Sequence, residues 1–349
     1  MKLRRLSCLL CVLTLGTVSD GSAESSRRGT AWKTHEPVES TRGTVLLSSS
    51  GRARVREEAN KARRVPLRRG EQLSEIVEEE KGWLVAGVAN HGAVRDLIFL
   101  RGSKNGVHRL PRLAESSPGL RGRPRLLTER GHLAGVAWLE GSGLNDLAVK
   151  TSDWTGIHWG PADTVSWGPA IRSGLTSTVL ADGSWLLVWS QHDGTDDELF
   201  WSLREGANWT SPAPVDNGNS YPDITPQLLA IGKGALLAWS RFDGQDYRLV
   251  TARFHRGRWR TSTSEGPAGS VYPSFKRTTE GPLLLFRNAD PAAWTALRLD
   301  EKGEVTGMAQ ARTPLAARPV LKNSRSGETL FDWPLLKLKR QARWEQPAR

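Results

Sequence analysis

Cysteine is almost absent from this sequence of 349 residues. The two cysteines, Cys8 and Cys11, both lie within the first 23 residues. A disulfide framework and a thiolate metal site are therefore excluded for the rest of the chain. The seven histidines are scattered without metal-binding spacing, and no Gly-rich phosphate loop is found. We expect no metal and no cofactor.

Long apolar runs are also missing. After residue 23 no run reaches the roughly 18 residues that a membrane-spanning helix needs, so no transmembrane segment is expected. The first 23 residues resemble an export signal, with basic Lys2–Arg5, apolar Leu6–Leu15 and small Gly21–Ala23. Leu10 before Cys11 disfavours a lipid anchor. We therefore predict a secreted or periplasmic bacterial protein, with residues 24–349 as one domain.

Tryptophan, by contrast, is abundant: the chain has 15 Trp but only 7 Phe and 3 Tyr. Four apolar segments that follow Gly-containing turns end in aromatic anchors about 50 residues apart, and such a period is typical of propellers and solenoids. The anchors are Trp138, Trp189, Trp239 and Phe286. The same frame extends backward to Trp83–Val88 and forward to Thr329–Trp333, which makes six units.

Each unit has room for four short strands. Asp-Gly turns such as Asp193-Gly194 favour tight hairpins, and alternating strands such as Glu198–Ser202 follow them. The sequence therefore predicts an all-β fold: a β-propeller of six blades with four antiparallel strands each, with five or seven blades left open. Trp32–Val38 shares the spacing Trp-x4-Pro-Val with Trp209–Val215, which predicts that an N-terminal strand closes the ring. The charged stretch 51–81 is interpreted as an insertion or an irregular first blade.

The first strand of each predicted unit is marked by a proline, which needs no ladder donor at a strand start. The marks are Arg123-Pro124, Tyr221-Pro222, Tyr272-Pro273 and Arg318-Pro319. First strands line the central channel of a propeller, so the residue before each proline is expected near the channel mouth. Arg123, Tyr221 and Arg318 are therefore predicted to bind a ligand.

The unit as a whole resembles the sialidase-like (BNR, or Asp-box) propellers. The stretch Leu186–Val215 carries the resemblance best, with a Trp-Ser strand end, an Asp-Gly hairpin and then Gly-x-x-Trp-Thr-x-Pro. Thr151–Trp159 and Ser202–Trp209 approach the Asp-box, although the first is one residue too long and the second has Arg204 in place of Asp. These boxes are structural in the family, so they indicate fold more than function.

The resemblance also implies a set of catalytic positions. Sialidases clamp a sugar carboxylate with three arginines, and Arg64 (in Arg64-Val65-Pro66, on the first inner strand), Arg123 and Arg318 would fill these places. Tyr272 would be the nucleophile and Asp96 the acid or base. The sequence departs from the family because Tyr272 precedes Arg318 and has no evident Glu partner.

The net charge of +12 favours anionic partners. The basic stretch Arg52–Arg69 contains no interleaved aromatic residues, which disfavours nucleic acid. Two hypotheses follow. The first is a monomeric, non-catalytic propeller that binds an extracellular carbohydrate or acidic polymer. The alternative is a divergent glycoside hydrolase of the sialidase type.

Overall fold

The computed structural model describes residues 38–40, 44–49, 52–56, 62–92, 94–113, 120–192, 194–216, 221–262, 269–278, 280–288, 293–312, 318–323, 329–333, 338–341 and 343–345. These residues form β-strands and turns without an α-helix, so they include no helix that could cross a membrane. The strands build six sheets of antiparallel neighbours arranged as a β-propeller, which confirms the predicted fold class. The predicted export signal (1–23) lies outside the described residues.

The first sheet contains β1 (Val38–Glu39), β2 (Val45–Ser49), β3 (Arg52–Arg56) and β4 (Arg63–Val65). The second contains β5 (Glu71–Glu79), β6 (Gly82–His91), β7 (Val94–Ser103), β8 (Gly106–Arg109), β9 (Leu120–Glu129), β10 (His132–Gly141), β11 (Ala148–Asp153) and β12 (Asp163–Ser166). The third contains β13 (Arg172–Val179), β14 (Trp185–His192), β15 (Asp197–Glu205), β16 (Asn208–Trp209) and β17 (Ala213–Pro214).

The fourth sheet contains β18 (Asp223–Ile231), β19 (Gly234–Phe242), β20 (Tyr247–His255) and β21 (Arg258–Thr261). The fifth contains β22 (Val271–Thr278), β23 (Gly281–Asn288), β24 (Ala293–Leu299), β25 (Val305–Arg312) and, pairing with β25, β29 (Trp344–Glu345). The sixth contains β26 (Val320–Asn323), β27 (Thr329–Trp333) and β28 (Leu338–Gln341).

The second sheet is a double blade. Its halves, β5–β8 and β9–β12, are each a four-stranded meander, and one parallel bridge between Arg95 and Leu120 joins them. The six hydrogen-bonded sheets thus hold seven units of the repeat. The unit beyond the six predicted from the aromatic anchors is β1–β4, and β3, β4 and β5 lie within the charged stretch 51–81.

The first strands of successive units contact one another around the channel: β5 with β9, β9 with β13, β13 with β18 and β18 with β22. The first and last sheets meet through an ion pair between Arg56 and Asp332 at 3.5 Å. Of the segment predicted to close the ring, residues 32–37 lie outside the described residues. Val38 begins β1, which pairs with β2 of its own sheet.

The aromatic anchors are the centre of the core, as predicted. Trp138, Trp189, Trp239 and Phe286 lie on the second strand of their units and are at most 1% exposed. Burial of an aromatic side chain removes about 150–250 Å² from water, which is worth on the order of 4–6 kcal/mol. Repeated burial of this kind explains why the anchor spacing determines the fold.

A β-bulge stands opposite each of these anchors. In the ladder between the first and second strands, the anchor has no single partner. Two residues of the first strand lie opposite it instead. These bulge pairs are Arg123-Pro124, Gly174-Leu175, Thr225-Pro226 and Tyr272-Pro273. Thr225 and Tyr272 have φ of 56° and 58°, a region that non-glycine residues rarely adopt. Bulges of this kind re-aim side chains at the ends of strands.

Candidate functional site

One end of the propeller gathers most of the predicted site residues. We call it the entry face: the end at which first strands begin, built from the loops that lead into first strands and the loops between second and third strands. Arg123 and Tyr272 lie near the starts of β9 and β22, and Tyr221 and Arg318 lie just before β18 and β26. The side chain of Arg123 is outside the described set.

Tyr221-Pro222 lies directly before the first strand of its unit, while the bulge of that strand is formed by Thr225-Pro226. The position of Arg64 differs from the prediction. Arg64 does not begin an inner strand. It lies on β4, at the opposite side of its sheet from β1, whereas β1 and β2 are the strands that contact β5 of the next unit. The three arginines therefore do not share inner-strand starts.

The two candidate catalytic groups, Asp96 and Tyr272, have different surroundings. The Asp96 carboxylate accepts a hydrogen bond from Arg121 Nη1 at 2.9 Å, so it is held in an ion pair. Tyr272 is 53% exposed, and within the described part of the chain no carboxylate lies within hydrogen-bonding distance of its hydroxyl. That part also contains no group of three or more His, Asp or Glu side chains that could hold a metal ion.

Arginines at the entry face instead form buried ion pairs with carboxylates on neighbouring strands of the same sheet. Arg241 donates to Asp223 through Nε at 2.8 Å and Nη2 at 2.9 Å, and Trp239 Nε1 donates to the same carboxylate at 2.8 Å. Burial alone would lower the pKa of Arg241, but the hydrogen bonds and charge of Asp223 outweigh it and raise that pKa. Asp223 thus ties its first strand to the anchor strand β19.

The double blade contains a second buried ion pair of this kind. Arg121 Nε donates to Glu140 at 2.6 Å, and Trp138 Nε1 donates to the same carboxylate at 3.0 Å. Both charged groups are less than 10% exposed. The arginine therefore contributes to packing and cannot also clamp an anionic ligand without breaking a buried pair.

The exposed apolar side chains are concentrated on the entry face. Seven large hydrophobic residues in the described ranges are exposed, and five of them lie at this end: Val94, Leu144, Trp167, Tyr221 and Tyr272. The other two lie at the opposite end: Ile157 in the turn between β11 and β12, and Val305 at the start of β25. Exposed apolar groups collected on one face are typical of a binding surface.

Trp167 is the most exposed of them, at 80%. Its loop is held by hydrogen bonds from a buried arginine. The buried guanidinium of Arg172 donates from Nη1 to the carbonyl oxygens of Leu147 (2.6 Å) and Gly168 (3.0 Å). Its Nη2 donates to the carbonyl oxygen of Trp167 itself at 3.0 Å. Burial lowers the pKa of Arg172. One cation therefore holds two adjacent loops, 142–147 and 167–171.

The same two loops are joined by their backbones. A parallel bridge connects Asp146 with Ala170. The Asp146 carboxylate accepts hydrogen bonds from the backbone N–H groups of Ser142 (3.1 Å) and Gly143 (2.7 Å), which closes the turn. The indole of Trp167 is thus presented to solvent on a rigid support, and little entropy is lost when a ligand packs on it.

A second aromatic group lies near the start of β18. Tyr221 is 45% exposed and meets the edge of Phe242, with ring centroids 6.3 Å apart. Phe242 in turn packs on Tyr247 at 5.4 Å. The entry face therefore offers aromatic rings backed by further aromatic packing.

Comparisons with known proteins identify the fold of the chain but assign it to no family. No protein-family model matches the chain, and no curated protein matches it in sequence. The resemblance to sialidase-like propellers is accordingly not confirmed.

Solved structures do match. A puromycin-hydrolysing peptidase of Mycobacterium tuberculosis is 12% identical (TM-score 0.51), with 87% of this chain and 52% of that chain covered, so this chain spans about half of it. An ulvan lyase of polysaccharide lyase family PL25, bound to -[GlcA(1-4)Rha3S]-, is 11% identical (TM-score 0.50; 77% and 73% covered). The six-bladed fucose-recognising lectin of Aleuria aurantia is 12% identical (TM-score 0.44; 78% and 92% covered). At these identities the likeness shows the fold alone, that of a β-propeller.

Proposed function

We propose that the protein is a non-catalytic β-propeller that binds an extracellular carbohydrate through its entry face. The observation that carries the proposal is Trp167, an indole 80% exposed on loops that the buried Arg172 holds in place. Exposing so large an apolar ring to water is unfavourable. A ligand that covers the ring removes this surface from water, so an exposed ring on a rigid support is typical of a binding site.

The chemistry of the face suits a sugar. A flat aromatic ring packs on the C–H face of a pyranose, while its polar edge and nearby polar groups meet the hydroxyls. The net charge of +12 adds a preference for acidic over neutral saccharides. The extracellular location follows from the predicted export signal.

The hydrolase alternative has less support. Glycoside hydrolysis needs an acid and a nucleophile or base that face one substrate. Asp96 is engaged by Arg121, Arg64 lies on an outer strand, and Tyr272 has no carboxylate partner in the described ranges. A fluorogenic sialoside is therefore expected to remain intact. Turnover that disappears in Tyr272→Phe would favour the hydrolase instead.

Replacement of Trp167 by alanine should weaken glycan binding at least about tenfold, since an aromatic contact contributes on the order of 1.5 kcal/mol. A glycan array of neutral and acidic oligosaccharides, followed by titration of the best ligand, measures this effect. The matched control is Ile157→Ala, which removes a 78% exposed side chain at the opposite end. Absence of binding to any glycan, or equal losses in both variants, would contradict the proposal.

A further inference from the structure

A groove of about 1100 Å³ opens between the fourth and fifth sheets, at the end opposite the entry face. Its floor is apolar and includes Leu249, Phe275 and Leu297. Its walls come from the hairpin of β20 and β21 on one side and from the turn after β24 on the other. A groove of this volume can hold a ligand of several rings.

The hairpin wall carries a strip of basic residues. In the register of β20 and β21, Arg253 stands opposite Arg260, and His255 stands opposite Arg258. All four side chains line the groove, and Lys302 faces them from the fifth sheet. We call this feature the basic groove. Like charges placed directly across a strand pair destabilise the sheet, so the opposed Arg253 and Arg260 cost stability in the free protein.

Within the described ranges, no carboxylate forms an ion pair with any of these basic side chains. Glu304 also lines the groove but forms no ion pair with them, and Arg253 Nε is buried without a hydrogen-bond acceptor. Third-strand arginines elsewhere also have a buried Nε without an acceptor, but they form ion pairs: Arg204 pairs with Asp153 at 2.7 Å and Arg298 pairs with Glu280 at 2.7 Å. The basic groove therefore retains positive charge that the other sheets neutralise.

We infer that the basic groove is a second binding site, one that takes an acidic oligosaccharide bearing carboxylate or sulfate groups. Guanidinium groups match such oxyanions through two parallel hydrogen bonds, and the exposed side chains of Arg258 and Arg260 are accessible to them. Trp259 supplies no free stacking surface, because it packs on Phe254 at 5.0 Å and on Trp201 at 6.3 Å. The groove thus lacks the aromatic platforms that nucleic-acid sites use.

The test uses a heparin-derived octasaccharide and the full chain. Arg258→Ser combined with Arg260→Ser should weaken binding about tenfold, and the salt dependence of the remaining affinity should be shallower. The matched control, Arg112→Ser combined with Arg130→Ser, removes the same charge from exposed positions and should stay within about twofold. Trp167→Ala should leave this affinity unchanged, which separates the groove from the entry face.

Three results would overturn the inference: full affinity in the groove variant, an equal loss in the control, or tighter binding of a single-stranded oligodeoxynucleotide of the same charge. The groove variant should unfold at or above the temperature of the natural chain, because opposed like charges are removed. If it unfolds lower, Lys302→Ser alone, in an exposed turn, should still weaken octasaccharide binding severalfold, and unchanged binding there would overturn the inference.

Discussion

Replacing Asp223 by alanine should lower the free energy of unfolding by about 3–5 kcal/mol. Asp223 is 1% exposed, and its carboxylate accepts hydrogen bonds from Trp239 Nε1 and from Nε and Nη2 of Arg241. Alanine would leave a guanidinium that is 15% exposed without its closest counterion, and a buried indole N–H without an acceptor. Urea denaturation followed by far-ultraviolet circular dichroism measures the change.

The matched control is Asp216→Ala. Asp216 contacts the same guanidinium at 3.4 Å, but its side chain is 29% exposed and a single long contact contributes little. We expect it to cost less than about 1 kcal/mol. If both variants lost equal stability, or if Asp223→Ala lost less than about 1 kcal/mol, Asp223 would not be the link between the first strand and the anchor strand.

The second large effect is expected at Arg172. Arg172→Met keeps the apolar stem but removes three hydrogen bonds to the carbonyl oxygens of Leu147, Trp167 and Gly168. Loss of charged donors to buried carbonyls should cost about 2–3 kcal/mol of unfolding free energy. Glycan affinity should fall as much as in Trp167→Ala, because the indole loses its rigid support.

Hydrogen exchange separates this role from general destabilisation. Exchange should rise first in loops 142–147 and 167–171 and remain slow in β19, which is remote from them. Arg248→Met is the control: it removes an arginine of the same face whose ion pair with Asp243 is a quarter to a third exposed. Uniformly faster exchange in Arg172→Met, or equal effects in the control, would contradict the assignment of Arg172 to the two loops.

The anchored units of the propeller could be predicted from the sequence because their cores rest on local repetition. A turn, a short apolar strand and a terminal tryptophan recur at one period, and each such strand is buried in the structure. The unit β1–β4 could not be found in this way, since it has no aromatic anchor. Its core is made of aliphatic residues such as Leu46, Ala53 and Val55. The alternation of arginine with Ala and Val across Arg52–Arg56 was the available signal for a half-buried strand.

The site was predicted less completely, because its determinants are contacts between distant positions. Proline marked the start of a first strand at both Tyr272-Pro273 and Tyr221-Pro222, but nothing in the sequence distinguished the first pair, which forms a bulge, from the second, which does not. The pairing of Arg121 with Glu140 and Asp96 could not be deduced from spacing. Trp167 was missed because it lies between units, outside the anchor frame. A tryptophan at that place, followed by Gly168-Pro169, has no core position to fill and was the signal for an exposed ring.

The most direct test of the central claim is a hydrogen-exchange footprint on the full chain. The protein is saturated with the oligosaccharide that binds best on the glycan array, and exchange is compared with that of the free protein. We predict protection in loops 142–147 and 167–171 and around Tyr221, with no change at the turn that contains Ile157. Protection confined to the opposite end of the propeller, or no protection at saturation, would contradict the claim that the entry face binds carbohydrate.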